Sequence, residues 1–235
     1  MAAWGVHAFT ACGTVAGLMS LLETAHHEWR LVFIWMGVAL FIDGVDGTLA
    51  RLCRVKEVLP HFDGALLDNT VDFLTYVIVP AFFLVEAGLL PKGLGLLSAF
   101  ALMLASAYQF SQADAKTRDH FFKGFPSYWN ILVFYLFMCA TPAWVNLLFV
   151  WGFAISVFIP VKYVYPSRTV KLRAATLALT IAWTTVLGIV IALYSEAPGA
   201  WAHRFLAWAS LVYVVYYFGI SFYFTWKHGF PRQGA

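Results

Sequence analysis

The chain has 235 residues, of which 62% are hydrophobic, 18% aromatic and only 11% charged, with a net charge of +3. Soluble domains run at about 45–50% apolar and about 25% charged. A mean hydropathy of +0.76 therefore excludes a disordered chain, a nucleic-acid-binding surface and an ordinary soluble globule. A membrane span needs about 20 apolar residues, so the length suits an all-α, polytopic bundle of about eight transmembrane helices. Nothing is left over for a second unit, and residues 1–235 read as one membrane domain.

Apolar runs are expected at about residues 8–22, 31–50, 65–90, 93–113, 127–141, 143–165, 174–194 and 203–226. The first follows Met1-Ala2-Ala3-Trp4, which lacks the basic region of a signal peptide, so it is expected to stay as a span. Glu23 to Arg30 and Arg51 to Phe62 separate the next runs, and Pro91-Lys92-Gly93 predicts a tight turn. Asp114 to Pro126 is the longest polar loop, and Thr141-Pro142 breaks an otherwise over-long run. The fifth run is short, which leaves seven spans plus a kinked or re-entrant segment open. With both termini in the cytoplasm, twelve of the fifteen Lys and Arg fall on that side, and only Arg30, Lys92 and Arg204 fall outside. Cys12, Cys53 and Cys139 are scattered and read as packing residues.

The acids are distributed less blandly. Six of the twelve lie within thirty residues: the five aspartates Asp43, Asp46, Asp63, Asp68 and Asp72, together with Glu57. Asp43 and Asp46 are three apart and Asp68 and Asp72 four apart, so each pair shares one helix face. A short loop joins the two helices, so they can pack antiparallel with four carboxylates converging. An Asp deep in a span costs about 2.5–3.5 kcal/mol, so a cation must compensate or the group must be wet. Oxygen-only ligands suit Mg²⁺ or Mn²⁺, and four carboxylates at one focus fit two divalent cations. The other reading, helix-end acids paired with Arg51, Arg54 and Lys56, suffices for one Asp but poorly for two facing pairs. Asp63, before Gly64, is explained as a helix N-cap. Gly44, Gly47 and Gly64 beside the acids permit close approach of a substrate or a neighbouring helix.

These residues resemble the signature of the CDP-alcohol phosphotransferases, D-x-x-D-G-x-x-A-R followed by G-x-x-x-D-x-x-x-D. Here it reads Asp43-Gly44-Val45-Asp46-Gly47-Thr48-Leu49-Ala50-Arg51 and Gly64-Ala65-Leu66-Leu67-Asp68-Asn69-Thr70-Val71-Asp72. The twelve residues between Arg51 and Gly64 make a longer gap than is usual in that family. In this, and in length and span number, the chain is similar to its bacterial phosphatidylcholine synthase branch. KTRDHFFKGFPSYWN (Lys116 to Asn130) and KYVYPSR (Lys162 to Arg168) also look like that branch.

The resemblance implies an enzyme of phospholipid biosynthesis that joins CDP-diacylglycerol to choline, giving phosphatidylcholine and CMP. It would be a homodimer in the bacterial inner membrane with its active site on the cytoplasmic side. Asp43, Asp46, Asp68 and Asp72 would hold two cations, Mn²⁺ or Mg²⁺, with Asp72 also the general base. Gly47, Ala50, Arg51 and Gly64 would line the CDP site, with Arg51 on a phosphate. A quaternary ammonium offers no hydrogen bonds and prefers aromatic faces or a carboxylate. Phe125, Tyr128 and Trp129 of the ring-rich loop, together with Tyr108, are therefore candidates for choline, although an interfacial aromatic belt accounts for such rings more readily. Arg168 is a candidate contact to lipid phosphate, while the positive-inside rule suffices for Lys162, Lys171 and Arg173. Two rivals stand beside this reading. One is a relative with another acceptor (serine, inositol) or with CDP-choline as donor; the other is a divalent-cation transporter using the same acids.

Overall fold

A computed structural model describes residues 1–117, 119, 121–165, 173–197 and 200–229. Two long helices open the chain, α1 (Ala2–Ala25) and α2 (Trp29–Leu52). They pack side by side, and Gly13 of α1 lets the helix carrying Val71 come close: a Cβ there would lie 2.5 Å from Val71 Cγ1. A single turn, α3 (Val55–Val58), precedes α4 (Gly64–Asp72), whose N-terminus is capped as expected. Asp63 Oδ1 accepts from the Ala65 and Leu66 amides, both at 3.0 Å. The helix then widens into a π segment, Phe73–Ile78, and returns to α geometry as α5 (Val79–Glu86).

Next come α6 (Gly95–Ser111), β1 (Phe121–Lys123), α7 (Trp129–Met138), α8 (Ala143–Ser156), β2 (Lys162–Val164), α9 (Arg173–Leu193) and α10 (Ala202–His228). The expected turn before α6 forms, with the Leu94 amide donating to the Pro91 carbonyl at 3.0 Å. Among the described residues, five apolar helices are long enough to cross a membrane: α1, α2, the continuous Gly64–Glu86 rod, α9 and α10. α6, α7 and α8 are apolar but have 17, 10 and 14 residues. At 1.5 Å per residue, α7 covers about 15 Å, half of a bilayer core of about 30 Å.

The fold is not purely helical. β1 and β2 pair antiparallel, with Phe121 opposite Val164, Phe122 opposite Tyr163 and Lys123 opposite Lys162. The apolar run expected to extend to residue 165 therefore stops being helix at Ser156. Pro160 removes a helical donor, and Val161-Lys162-Tyr163-Val164 is β-branched and aromatic enough to form a strand. Facing lysines repel, but each has an acid: Lys123 Nζ lies 2.6 Å from Asp114 and Lys162 Nζ 2.8 Å from Asp119. The sheet is tied to α10, because Thr225 and Ser221 hydroxyls accept from the Lys162 and Val164 amides at 2.8 and 3.1 Å.

Away from the sheet, the core closes ring on ring. Phe33 of α2 lies 5.0 Å from Phe83 of α5 and 5.3 Å from Phe134 of α7. Trp29 and Phe137 complete the cluster at 5.7 Å from one another.

Candidate active site

α2 and α4 deliver the acids as their spacing predicts, but not as four equals. Carboxylate oxygens of Asp43, Asp68 and Asp72 lie within 4.8 Å of one another. Asp46 is turned towards α1, where it is buried and accepts from Thr10 Oγ1 at 2.8 Å, while still neighbouring Asp68. Asp43 is held from the other side by Tyr76, whose hydroxyl donates to Oδ2 at 2.6 Å.

The π segment explains how Tyr76 reaches that point. Asp68, Asp72 and Tyr76 follow one another at intervals of four residues. On a regular α-helix each such step drifts about 40° round the axis. The wider π turn between Asp72 and Tyr76 reverses that drift and keeps the tyrosine on the acid face. Lys116, on the segment leading into β1, is the cation that faces Asp43, Asp68 and Asp72.

Asp43, Asp46, Asp68 and Lys116 stand on the wall of a cavity of about 1580 Å³, and Asp72 completes the carboxylate group beside them. One wing, at the C-terminal end of α2 and through α3, is basic, with Arg51, Arg54 and Lys56. Gly47, Ala50, Arg51 and Gly64, the candidate CDP residues, all line it. A Cβ on Gly44 would touch nothing, and one on Gly47 would meet only Arg51 Nη1 at 3.5 Å, so both face open space. Arg51 is exposed, with Nη2 donating to Thr48 Oγ1 at 2.9 Å. Gly64 is different: a Cβ there would lie 2.6 Å from Cε1 of His7, a buried side chain packed on Phe62 with ring centroids 4.3 Å apart.

A second wing is aromatic, with Tyr76, Tyr128, Tyr165 and Tyr217, and a third is apolar, with Leu132, Leu136, Val145, Phe149 and Trp183. Of the choline candidates, Phe125 and Tyr128 line the cavity. Trp129 and Tyr108 do not. Trp129 is wholly buried at the start of α7, and its indole N–H is used by Ser106 Oγ at 2.6 Å. Tyr108 is 48% exposed because α6 buries the face carrying Ala105, Ser106 and Gln109 and turns Tyr108 outward onto Phe158. Asp114 and Asp119 are committed to the sheet lysines. Arg168 lies outside the described residues.

The donor set fits a divalent cation. Three carboxylates at this separation repel strongly unless cations are present, and Lys116 supplies a single positive charge. The oxygens are hard ligands, and Tyr76 and Thr10 orient two of the acids from behind, as partners of metal-binding carboxylates do. Thr10, Tyr76, Lys116 and His7 were not legible as site residues. For Tyr76 there is a signal, its four-residue spacing from Asp72, but the π turn that makes it count has none.

No protein-family model matches the chain. Curated proteins do. It is 46% identical to the phosphatidylcholine synthase of Legionella pneumophila over 99% of this chain and 92% of the relative. It is 36% identical to that of Borreliella burgdorferi over 96% and 95%, and 38% identical to that of Pseudomonas aeruginosa over 80% and 79%. Similarity of this extent, over a carboxylate cluster that fits a divalent cation, places the chain in the phosphatidylcholine synthase family.

Proposed function

We propose that the chain transfers the phosphatidyl group of CDP-diacylglycerol to choline, releasing CMP, at the cytoplasmic face of a bacterial inner membrane. The observation that carries this is the meeting of Asp43, Asp68 and Asp72 on a cavity with one basic, one aromatic and one apolar wing. The three wings match an anionic nucleotide, a quaternary ammonium and acyl chains. Arg51, Arg54 and Lys56 would take the pyrophosphate, and Lys116 the lipid-side phosphate next to the acids. Asp43, Asp68 and Asp72, with Asp46 adjoining, would hold two Mn²⁺ or Mg²⁺ ions, which supply charge neutralisation for the phosphoryl group under attack. The choline hydroxyl oxygen forms a bond to the lipid-side phosphorus as the bond to the CMP oxygen breaks. Asp72 takes the hydroxyl proton, and CMP leaves with the electron pair.

The cytoplasmic placement is supported by charge. Arg51, Arg54, Lys56 and Lys116 all surround the acid end, whereas Arg30 donates to the Tyr194 carbonyl at the other end. Both termini would then lie in the cytoplasm and the eight apolar helical segments would cross or enter the membrane. The family resemblance further implies a homodimer, which light scattering in detergent measures.

The test is direct. Purified protein in detergent receives CDP-diacylglycerol, labelled choline and Mn²⁺ or Mg²⁺, and CMP and phosphatidylcholine are assayed with and without chelator. Metal-dependent formation of both is expected. No CMP release overturns the enzyme reading, and release with serine but not choline overturns the acceptor.

A further inference from the structure

We infer that Tyr76, Tyr128, Tyr165 and Tyr217 form the wall that receives the trimethylammonium group of choline; this rests on the transferase reading above. The four come from four separate elements: the π segment, the N-cap of α7, the residue after β2, and α10. All line the cavity. Tyr76 and Tyr128 have ring centroids 5.9 Å apart, and Tyr128 and Tyr217 6.5 Å. Tyr165 is stacked at 4.6 Å on Phe122, which stands edge-on to Tyr128 at 6.2 Å. The rings thus belong to one connected aromatic cluster, with Phe122 linking Tyr165 to Tyr128.

Hydroxyls here are tied down: Tyr76 donates to Asp43 at 2.6 Å, Tyr217 to the Val164 carbonyl at 3.1 Å, and Tyr128 is bonded to Tyr217. What these side chains offer the cavity is therefore ring surface more than hydrogen bonds. A group with no donors of its own, and with positive charge spread over methyls, suits such a surface.

Charge divides the cavity in the same sense. The basic wing carries Arg51, Arg54 and Lys56 against Glu57 and Asp63, and its net charge is positive. The tyrosine wing begins at the acids themselves, because the Tyr76 hydroxyl is bonded to one of them. A choline whose ammonium rests on these rings has only its two-carbon arm to span before its hydroxyl meets the carboxylate cluster. The sheet's place in the fold follows from this. Register between β1 and β2 sets Phe122 opposite Tyr163, and the hydroxyls of α10 pin the strand that ends one residue before Tyr165.

The experiment uses the full chain in the assay above, with choline and CDP-diacylglycerol varied separately. If the unaltered protein makes no phosphatidylcholine from choline, the transferase reading falls, whatever its tyrosines do. Given that activity, Tyr165→Ala and Tyr128→Ala are expected to raise KM for choline about tenfold or more and leave KM for CDP-diacylglycerol within about twofold. Preference for choline over ethanolamine should fall by a similar factor. Phenylalanine at either position should restore most of both. Against the chance that an alanine unfolds the wing, phenylalanines of increasing fluorination at position 165 keep the shape while draining the ring face of negative charge. Choline KM should climb step by step along that series. Equal rises in both KM values, or a flat fluorination series, overturn the assignment.

Discussion

At one end of α2, Trp29 and Phe33 are locked into rings from α5 and α7, with Phe33 fully buried against Phe83 at 5.0 Å. Ten residues along the same helix, about 15 Å, Asp43 meets two more carboxylates beside a cavity of about 1580 Å³. The same helices are thus packed shut at one end and held apart at the other. Aromatic packing at the closed end fixes the separation at which the charged end can be kept open, since like charges alone would push α2 and α4 apart. The closed end also bears on the transporter alternative, because Trp29, Phe33, Phe83 and Phe137 fill the space through which an ion would leave the acids.

The contrast predicts opposite responses. Asp68→Ala should lower turnover beyond about a hundredfold, more than loss of an outer partner of a metal ligand costs. With divalent cations withheld, it should leave the melting temperature unchanged or higher, because a repulsion has been removed. Phe83→Ala should do the reverse. It empties a fully buried site, at a cost of about 3 kcal/mol. That is the low end for such changes, because lipid solvates a released ring nearly as well as the core does. Thermal midpoints in detergent and turnover per folded molecule, measured on both variants, separate the two roles. A stable, fully active Asp68→Ala protein would collapse the distinction.

Two finer changes act within the open end. Gly64→Ala drives a methyl into His7 and should cost about 1–3 kcal/mol, read as a rise in KM for CDP-diacylglycerol with that for choline unmoved. His7→Ala in the same chain should relieve it, since the clash is with that ring. Tyr76→Phe keeps the ring but frees Asp43. The divalent concentration for half-maximal rate should rise about tenfold, while KM for choline stays within about twofold.

How much of this was legible follows the same division. Periodicity and spacing located both acid pairs, the Asp63 cap and the turn at Pro91, because these depend on residues a few positions apart. The separation of Asp46 from the other three was hidden, since it depends on Thr10, thirty-six residues away on another helix. The aromatic wing was partly visible in Tyr128, but hydropathy cannot distinguish Trp129, sunk on Ser106, from a ring facing the cavity. Tyr217 reaches the site from α10, and Tyr165 only through a sheet whose two strands lie about forty residues apart; an apolar average reads the second of those strands as the tail of a helix.

The smallest expected effect lies outside the membrane-spanning helices, at the sheet that carries this wing. Bonding to Lys123 holds the Asp114 carboxyl below the ordinary carboxylate range. Partial burial works against Asp119, but bonds from Lys162 and Thr117 outweigh it and bring that carboxyl lower too. A carboxylate depressed on folding stabilises the fold above its unfolded pKa, and the contribution disappears as pH falls through the folded value. The sheet should therefore be indifferent to pH from about 6 to 9 and loosen only below about 4. Asp114→Asn makes that loss permanent, leaving Lys123 across from Lys162 with one charge uncompensated. Because the acid is half exposed, the cost should be about 1 kcal/mol. The diagnostic is where it registers. If the sheet positions Tyr165 for choline, Asp114→Asn should raise KM for choline about two- to threefold at neutral pH, with the nucleotide side and the metal dependence unchanged. The same variant should weaken the unaltered protein's loss of stability at acid pH and leave only the part that Asp119 contributes.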